Sequence, residues 1–343
     1  MLVNILLVLL FILILYCFVK NHILEEVGSY VFMSKEATGT IRGVAILAIA
    51  FAHICQAEPV LKEILIGGKF SYLIVFSWGG LGVAVFFLLS GYGCSLSISK
   101  SNNDLKWLVR HMAKMLMYFV ISFIFVVIVR KNILGEAIDF SECMKNFVML
   151  RLPGTSSWYF KVQLLFYLLL VISDKIKRNQ CFIVSMLVLT YAVMAKIGGL
   201  PDYWWKTSMC FAAGCIFARY REILSIQVHN IWVKITVLIL GLSAFVYTLI
   251  DSHYIFILQL FAFVCVAGCI VLFWDLFVGK NYIFERIGKS SLALYLIHIG
   301  IIDTVYALPY DTNVKTLVFI GLVVFGTLIG YKVSEKCNVL LKI

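Results

Sequence analysis

An arginine and a histidine inside one apolar run pose a chemical question. The stretch IRGVAILAIAFAHI, residues 41 to 54, sets Arg42 and His53 eleven positions apart. On a helix the two then differ by only about 20° in direction and stand about 16.5 Å apart along the axis. Ionisable groups are costly in lipid and face a bundle interior or a water-filled path, so the stripe Arg42, Ile46, Ile49, His53 is expected to line one. Arg42 alone fits a snorkelling arginine at a cytoplasmic helix end equally well. His53 has no such position. It titrates near neutrality and can withdraw the proton of a hydroxyl, unless a neighbouring helix simply satisfies the ring.

Further groups with possible chemistry follow along the chain. GGLGVAVFFLLSGYG, residues 79 to 93, combines small residues suited to close helix contact or local unwinding with Ser90, Gly91 and Tyr92. It is not a G-x-S-x-G elbow, so Ser90 is no nucleophile candidate. WLVRHMAKMLM places Arg110, His111 and Lys114 on one compact basic face, able to hold phosphates or to sit at lipid headgroups. Trp158 and Tyr159 in SSWYFKVQLLFYLL fit an aromatic interface belt or a sugar-stacking platform, as does PDYWW, residues 201 to 205. SSLALYLIHIGIID puts Ser291, Tyr295 and His298 on one helical face. Asp303 in the same stretch lies near the expected depth of His53, and reads either as a membrane-edge carboxylate or as a group that orients the imidazole.

The elements that must hold these residues are set by composition. Of 343 residues 62% are hydrophobic and 14% charged, and the mean hydropathy is +1.00. That balance belongs to an integral membrane protein, and continuous apolar runs without strict alternation select helices over a barrel. Spans are predicted near 2–19, 41–57, 73–97, 112–129, 157–173, 181–197, 206–219, 232–250, 254–274, 290–308 and 315–334. The fold class is therefore all-α, a polytopic bundle of about eleven transmembrane helices, with the seventh short enough to be broken or re-entrant. The long exposed connections are expected at about 98–111 inside and 130–156 outside.

Most of the 29 Lys and Arg residues fall on one side of this arrangement. The positive-inside rule then sets the N-terminus outside and the C-terminus in the cytoplasm, with the first run kept as a helix rather than cleaved as a signal. The net charge of +11 reflects topology and attraction to anionic membrane lipids, and needs no nucleic acid. None of the ten cysteines makes a paired C-x-x-C signature, and packing thiols are the reading. No metal site is expected.

In this order, the Arg42-to-His53 spacing, FFLLSGYG, the inner basic cluster, WYF and LYLIH resemble the acyltransferase-3 family of multipass membrane O-acyltransferases. The resemblance covers residues 41–334 as a ten-helix membrane domain. It leaves residues 1–40 as an added N-terminal helix with its inner connection, and 335–343 as a short cytoplasmic tail. It implies a cytoplasmic acyl-CoA, often acetyl-CoA, as co-substrate, no permanently bound cofactor, and a hydroxyl of an envelope or exported glycan in a bacterial cell membrane as acceptor. Carried onto this chain, it implies that Arg42 and His53 are catalytic, that Arg42, Arg110 and Lys114 hold the donor, and that Ser90, Gly91, Tyr92, Trp158, Tyr159, Tyr295 and His298 line the pore or acceptor side. The inner motif departs from the family's denser arginine run: His111 and Ala113 interrupt the charges, and Met117 stands where proline is usual. The competing class is a carrier or flippase for a glycan or small polar solute, since polar groups along a path also suit alternating access. No paired interrupted helices in two matching halves favour it.

Overall fold

Ser34 begins the described helices. Its hydroxyl accepts the Ala37 N–H at 3.2 Å, the short-range bond that satisfies an otherwise orphaned first-turn donor. The helix that follows, α1, runs Lys35–Ala57, six residues earlier than the apolar run suggests. The polar residues in that extension are satisfied locally: Thr38 donates to the Lys35 carbonyl and Thr40 to that of Glu36. Arg42 consequently stands about 10 Å into the helix rather than at its mouth.

In this computed structural model, residues 32–57 and 68–309 are described apart from short internal gaps, at 134, 138, 154–156, 177–178, 228–229, 250–254 and 275–279, together with scattered residues between 311 and 336. The helices continue as α2 Gly68–Ile98, α3 Asp104–Ile133, α4 Phe140–Val148, α5 Trp158–Lys175 and α6 Gln180–Ile197. A 3₁₀ turn, Asp202–Trp204, leads to α7 Met209–Arg219, α8 Arg221–Gln227, α9 Ile231–Leu249, α10 Phe256–Phe273, α11 Tyr282–Lys289 and α12 Ser291–Tyr306. No strand occurs among the described residues, and the chain is all-α.

Five helices are long and apolar enough to cross a membrane, or six with α8 and α9 taken as one bent span. The count of about eleven is not reached among the described residues. The expected span 2–19 lies outside them, as does most of 315–334 and of the tail. α7 is 11 residues and α12 is 16, while α5 carries Lys161, Asp174 and Lys175. The connection expected at 98–111 shrinks to residues 99–103, because Asn103 accepts the Lys106 N–H at 2.9 Å and starts α3 there. Arg110 and His111 therefore ride on a helix. The connection expected at 130–156 contains α4, capped by Asp139 through the N–H groups of Ser141 and Glu142.

Helix α2 is the hub, packed on α1, α7 and α10, and it stays continuous through the glycine stretch rather than unwinding. Phe87 on α2 meets Phe166 on α5 with ring centroids 5.2 Å apart, and Phe166 meets Phe211 on α7 at 5.0 Å. Outward faces are also apolar, as at Ile121, Ile124 and Ile128 on α3 and at Leu238, Leu242 and Val246 on α9. A surface this greasy suits lipid and not water.

Candidate active site

Glycines let α1 and α2 pack closely on their neighbours. On α1, Gly39 and Gly43 are spaced as a small-xxx-small face, and a Cβ on Gly43 would collide with the Phe284 carbonyl of α11. Gly288 of α11 meets the backbone of Gly39 in the same way. Gly82 of α2 leaves room for Ile49 of α1, and Gly91 lies against the Phe211 carbonyl of α7. Gly91 thus acts as a helix contact.

His53, half-buried on α1, meets the fully buried His298 of α12. His53 Nδ1 stands 2.6 Å from His298 Nε2, and the rings are nearly parallel at 15°. His298 Nδ1 in turn faces the carbonyls of Tyr295, at 2.7 Å, and Leu294, at 3.1 Å. Asp303 does not join them. Its carboxylate is 4.0 Å from Arg130 in the last turn of α3. Five residues beyond His298, it points about 140° away around the same helix.

The isoleucines between Arg42 and His53 do not line an open path. Ile46 and Ile49 are both fully buried in the core. Arg42 turns instead toward α2, where its Nη2 approaches the Leu89 carbonyl at 3.5 Å and would meet a Cβ on Gly93. It lies within electrostatic reach of Tyr159, Tyr167 and Cys94. No carboxylate among the described residues pairs with it. A half-buried guanidinium without an acid partner is suited to receive an anionic or strongly polar ligand.

A polar and aromatic seam connects the two ends by way of α5. His111 is 5.8 Å from Tyr167, ring to ring, and stacks on Trp107 at 4.0 Å. Arg110 and Lys114 act electrostatically on His111, so the basic cluster stands at the same end of the seam. Ser90 hydrogen-bonds with Tyr167 and Cys94. Two turns nearer the start of α5, Tyr159 meets Tyr295 at 4.9 Å, and Tyr295 lies 5.6 Å from His298. The structure therefore joins Arg42, Ser90, Tyr159, Tyr295, His298 and His53. Tyr92 points elsewhere, its hydroxyl 3.5 Å from the Phe32 carbonyl.

Trp158 and Tyr159 are buried at 9% and 6% exposure, which a belt facing lipid would not be. Trp158 packs against Tyr203 at 5.5 Å and Trp204 at 6.2 Å, so the two aromatic stretches form one cluster. Sequence reasoning passed over Gln163. It is 2% exposed, accepts from the Tyr159 hydroxyl at 3.4 Å, and its Nε2 has no partner among the described residues. A lone glutamine one turn beyond Tyr159 in an apolar helix was the available signal.

Compared with known families, residues 39–332 match the family model described as an acyltransferase domain. No curated protein and no solved structure matches the chain.

Proposed function

The chain belongs to the acyltransferase-3 family of multipass membrane acyltransferases, and from that premise we propose that it transfers an acyl group, acetyl in the first instance, from cytoplasmic acyl-CoA to a hydroxyl of an envelope or exported glycan. His53 is the general base. The observation that carries this reading is the seam itself, which runs from a basic cluster through Arg42, which no described carboxylate pairs, to a histidine pair. Phosphates of the coenzyme suit Arg110 and Lys114, and a thin amide-bearing arm suits a seam of tyrosines, a serine and a spare amide donor.

In the reaction, His53 removes the proton of the acceptor hydroxyl as its oxygen attacks the thioester carbonyl carbon. The carbon–sulfur bond then breaks, and the coenzyme thiolate leaves with the proton held by His53. Ester and free thiol are the products, and the histidine returns to its starting state.

The test is to incubate purified protein in lipid with labelled acetyl-CoA and cell-envelope glycan from cells lacking the protein. Label is expected in the glycan with the wild type and not with His53→Ala. Glycan movement without consumption of thioester would establish the carrier reading instead.

A further inference from the structure

The hydrogen-bond directions at the histidine pair decide which atom of His53 is basic. His298 Nδ1 faces two backbone carbonyl oxygens, of Tyr295 at 2.7 Å and Leu294 at 3.1 Å. Carbonyls only accept, so Nδ1 carries the hydrogen. In a neutral ring Nε2 then keeps its lone pair, and this is the atom 2.6 Å from His53 Nδ1. Two lone pairs do not settle at that separation, so the hydrogen between the rings belongs to His53 Nδ1. What remains on His53 is a bare Nε2.

We infer that His298 is a positioning residue that fixes the tautomer and direction of His53, so that Nε2 of His53 is the atom that accepts the acceptor's proton. This rests on His53 being the base. The arrangement does what a carboxylate does for the histidine of a catalytic triad, but with a neutral acceptor. The nearest carboxylate on the same helix, Asp303, is turned to Arg130.

A second consequence separates this role from proton relay. A proton passed from His53 to His298 could leave the latter only through Nδ1, whose partners are backbone carbonyls and cannot take it. The proton therefore stays on His53 until the coenzyme thiolate collects it.

The direct test is nitrogen-15 NMR of the full chain in lipid bilayers with labelled histidine, the two signals identified by their loss in His53→Ala and His298→Ala. His53 is expected to be protonated at Nδ1 and bare at Nε2. Kinetics supply the second measurement. His298→Leu, which removes the acceptor, is expected to lower kcat roughly 100-fold with KM for acetyl-CoA unchanged. His298→Gln, whose side-chain oxygen can accept from Nδ1–H, is expected to recover most of that loss. A wild-type His53 protonated at Nε2 overturns the assignment, as do equal kcat values for the Leu and Gln variants. If His298→Leu does not fold, the wild-type spectrum still decides. Full turnover by His53→Ala would remove the base, and so the reading beneath this one, whereas an Nε2–H His53 in a protein whose His53→Ala variant is inactive removes the tautomer assignment alone.

Discussion

A base buried among helices needs a partner that holds its ring, and for the proposed base His53 the ring in contact, His298, comes from 245 positions along the chain. Both histidines are legible as ionisable groups in apolar runs, but their meeting is not, because helical spacing constrains neighbours on one helix only. Depth along a span is a poor guide for the same reason. Asp303, expected near the depth of His53, lies five residues, about 7.5 Å, past the histidine contact and on another side of α12. Gln163 adjoins the seam with an amide donor that no described residue satisfies, and a buried donor left unpaired costs about 1–3 kcal/mol. Gln163→Leu is accordingly expected to leave the fold at least as stable, measured by thermal unfolding in detergent, while lowering acyl transfer. Undiminished transfer would mean that the spare donor serves no substrate.

Among the elements, α1 depends on close backbone contact more than on side-chain volume. The G-x-x-x-G spacing of Gly39 and Gly43 flanks Arg42 and admits α11, and Thr40 fixes the approach by accepting the Asn281 N–H at 3.0 Å. Gly43→Ala would press a methyl group into the Phe284 carbonyl. It is expected to destabilise the protein by about 1–3 kcal/mol, read as a lower unfolding temperature. The apolar run located α1 but missed its first two turns, since Thr38 and Thr40 look like a connection until their hydroxyls are seen bonded to carbonyls a turn earlier. The glycines before Ser90 were readable as packing sites or as a break. The continuous α2 leaves packing as their role, with Gly91 against α7.

At the scale of the molecule, composition identified a membrane protein, because so apolar a chain has no aqueous solution to its burial problem, and the continuous apolar runs made it all-α. Charge placement supports the proposed orientation, with the cytoplasm at Arg110 and Lys114 and the outside at α4. A cysteine introduced at Lys106 is expected to react with a membrane-impermeant thiol reagent only after the inner face is opened, and one at Lys145 in intact cells. Reversal of Arg110 and Lys114 to Glu should weaken acetyl-CoA binding more than acceptor use, since the charges stand at the end of the seam remote from His53. The most direct measurement of the central claim places donor and acceptor on opposite sides of a sealed membrane. Oriented proteoliposomes with labelled acetyl-CoA on the face bearing Arg110 and envelope glycan on the face nearer His53 should show label crossing to the glycan, with none when His53→Ala replaces the wild type. Label transferred only when both substrates share one face, or transferred unchanged without the imidazole, would contradict the account.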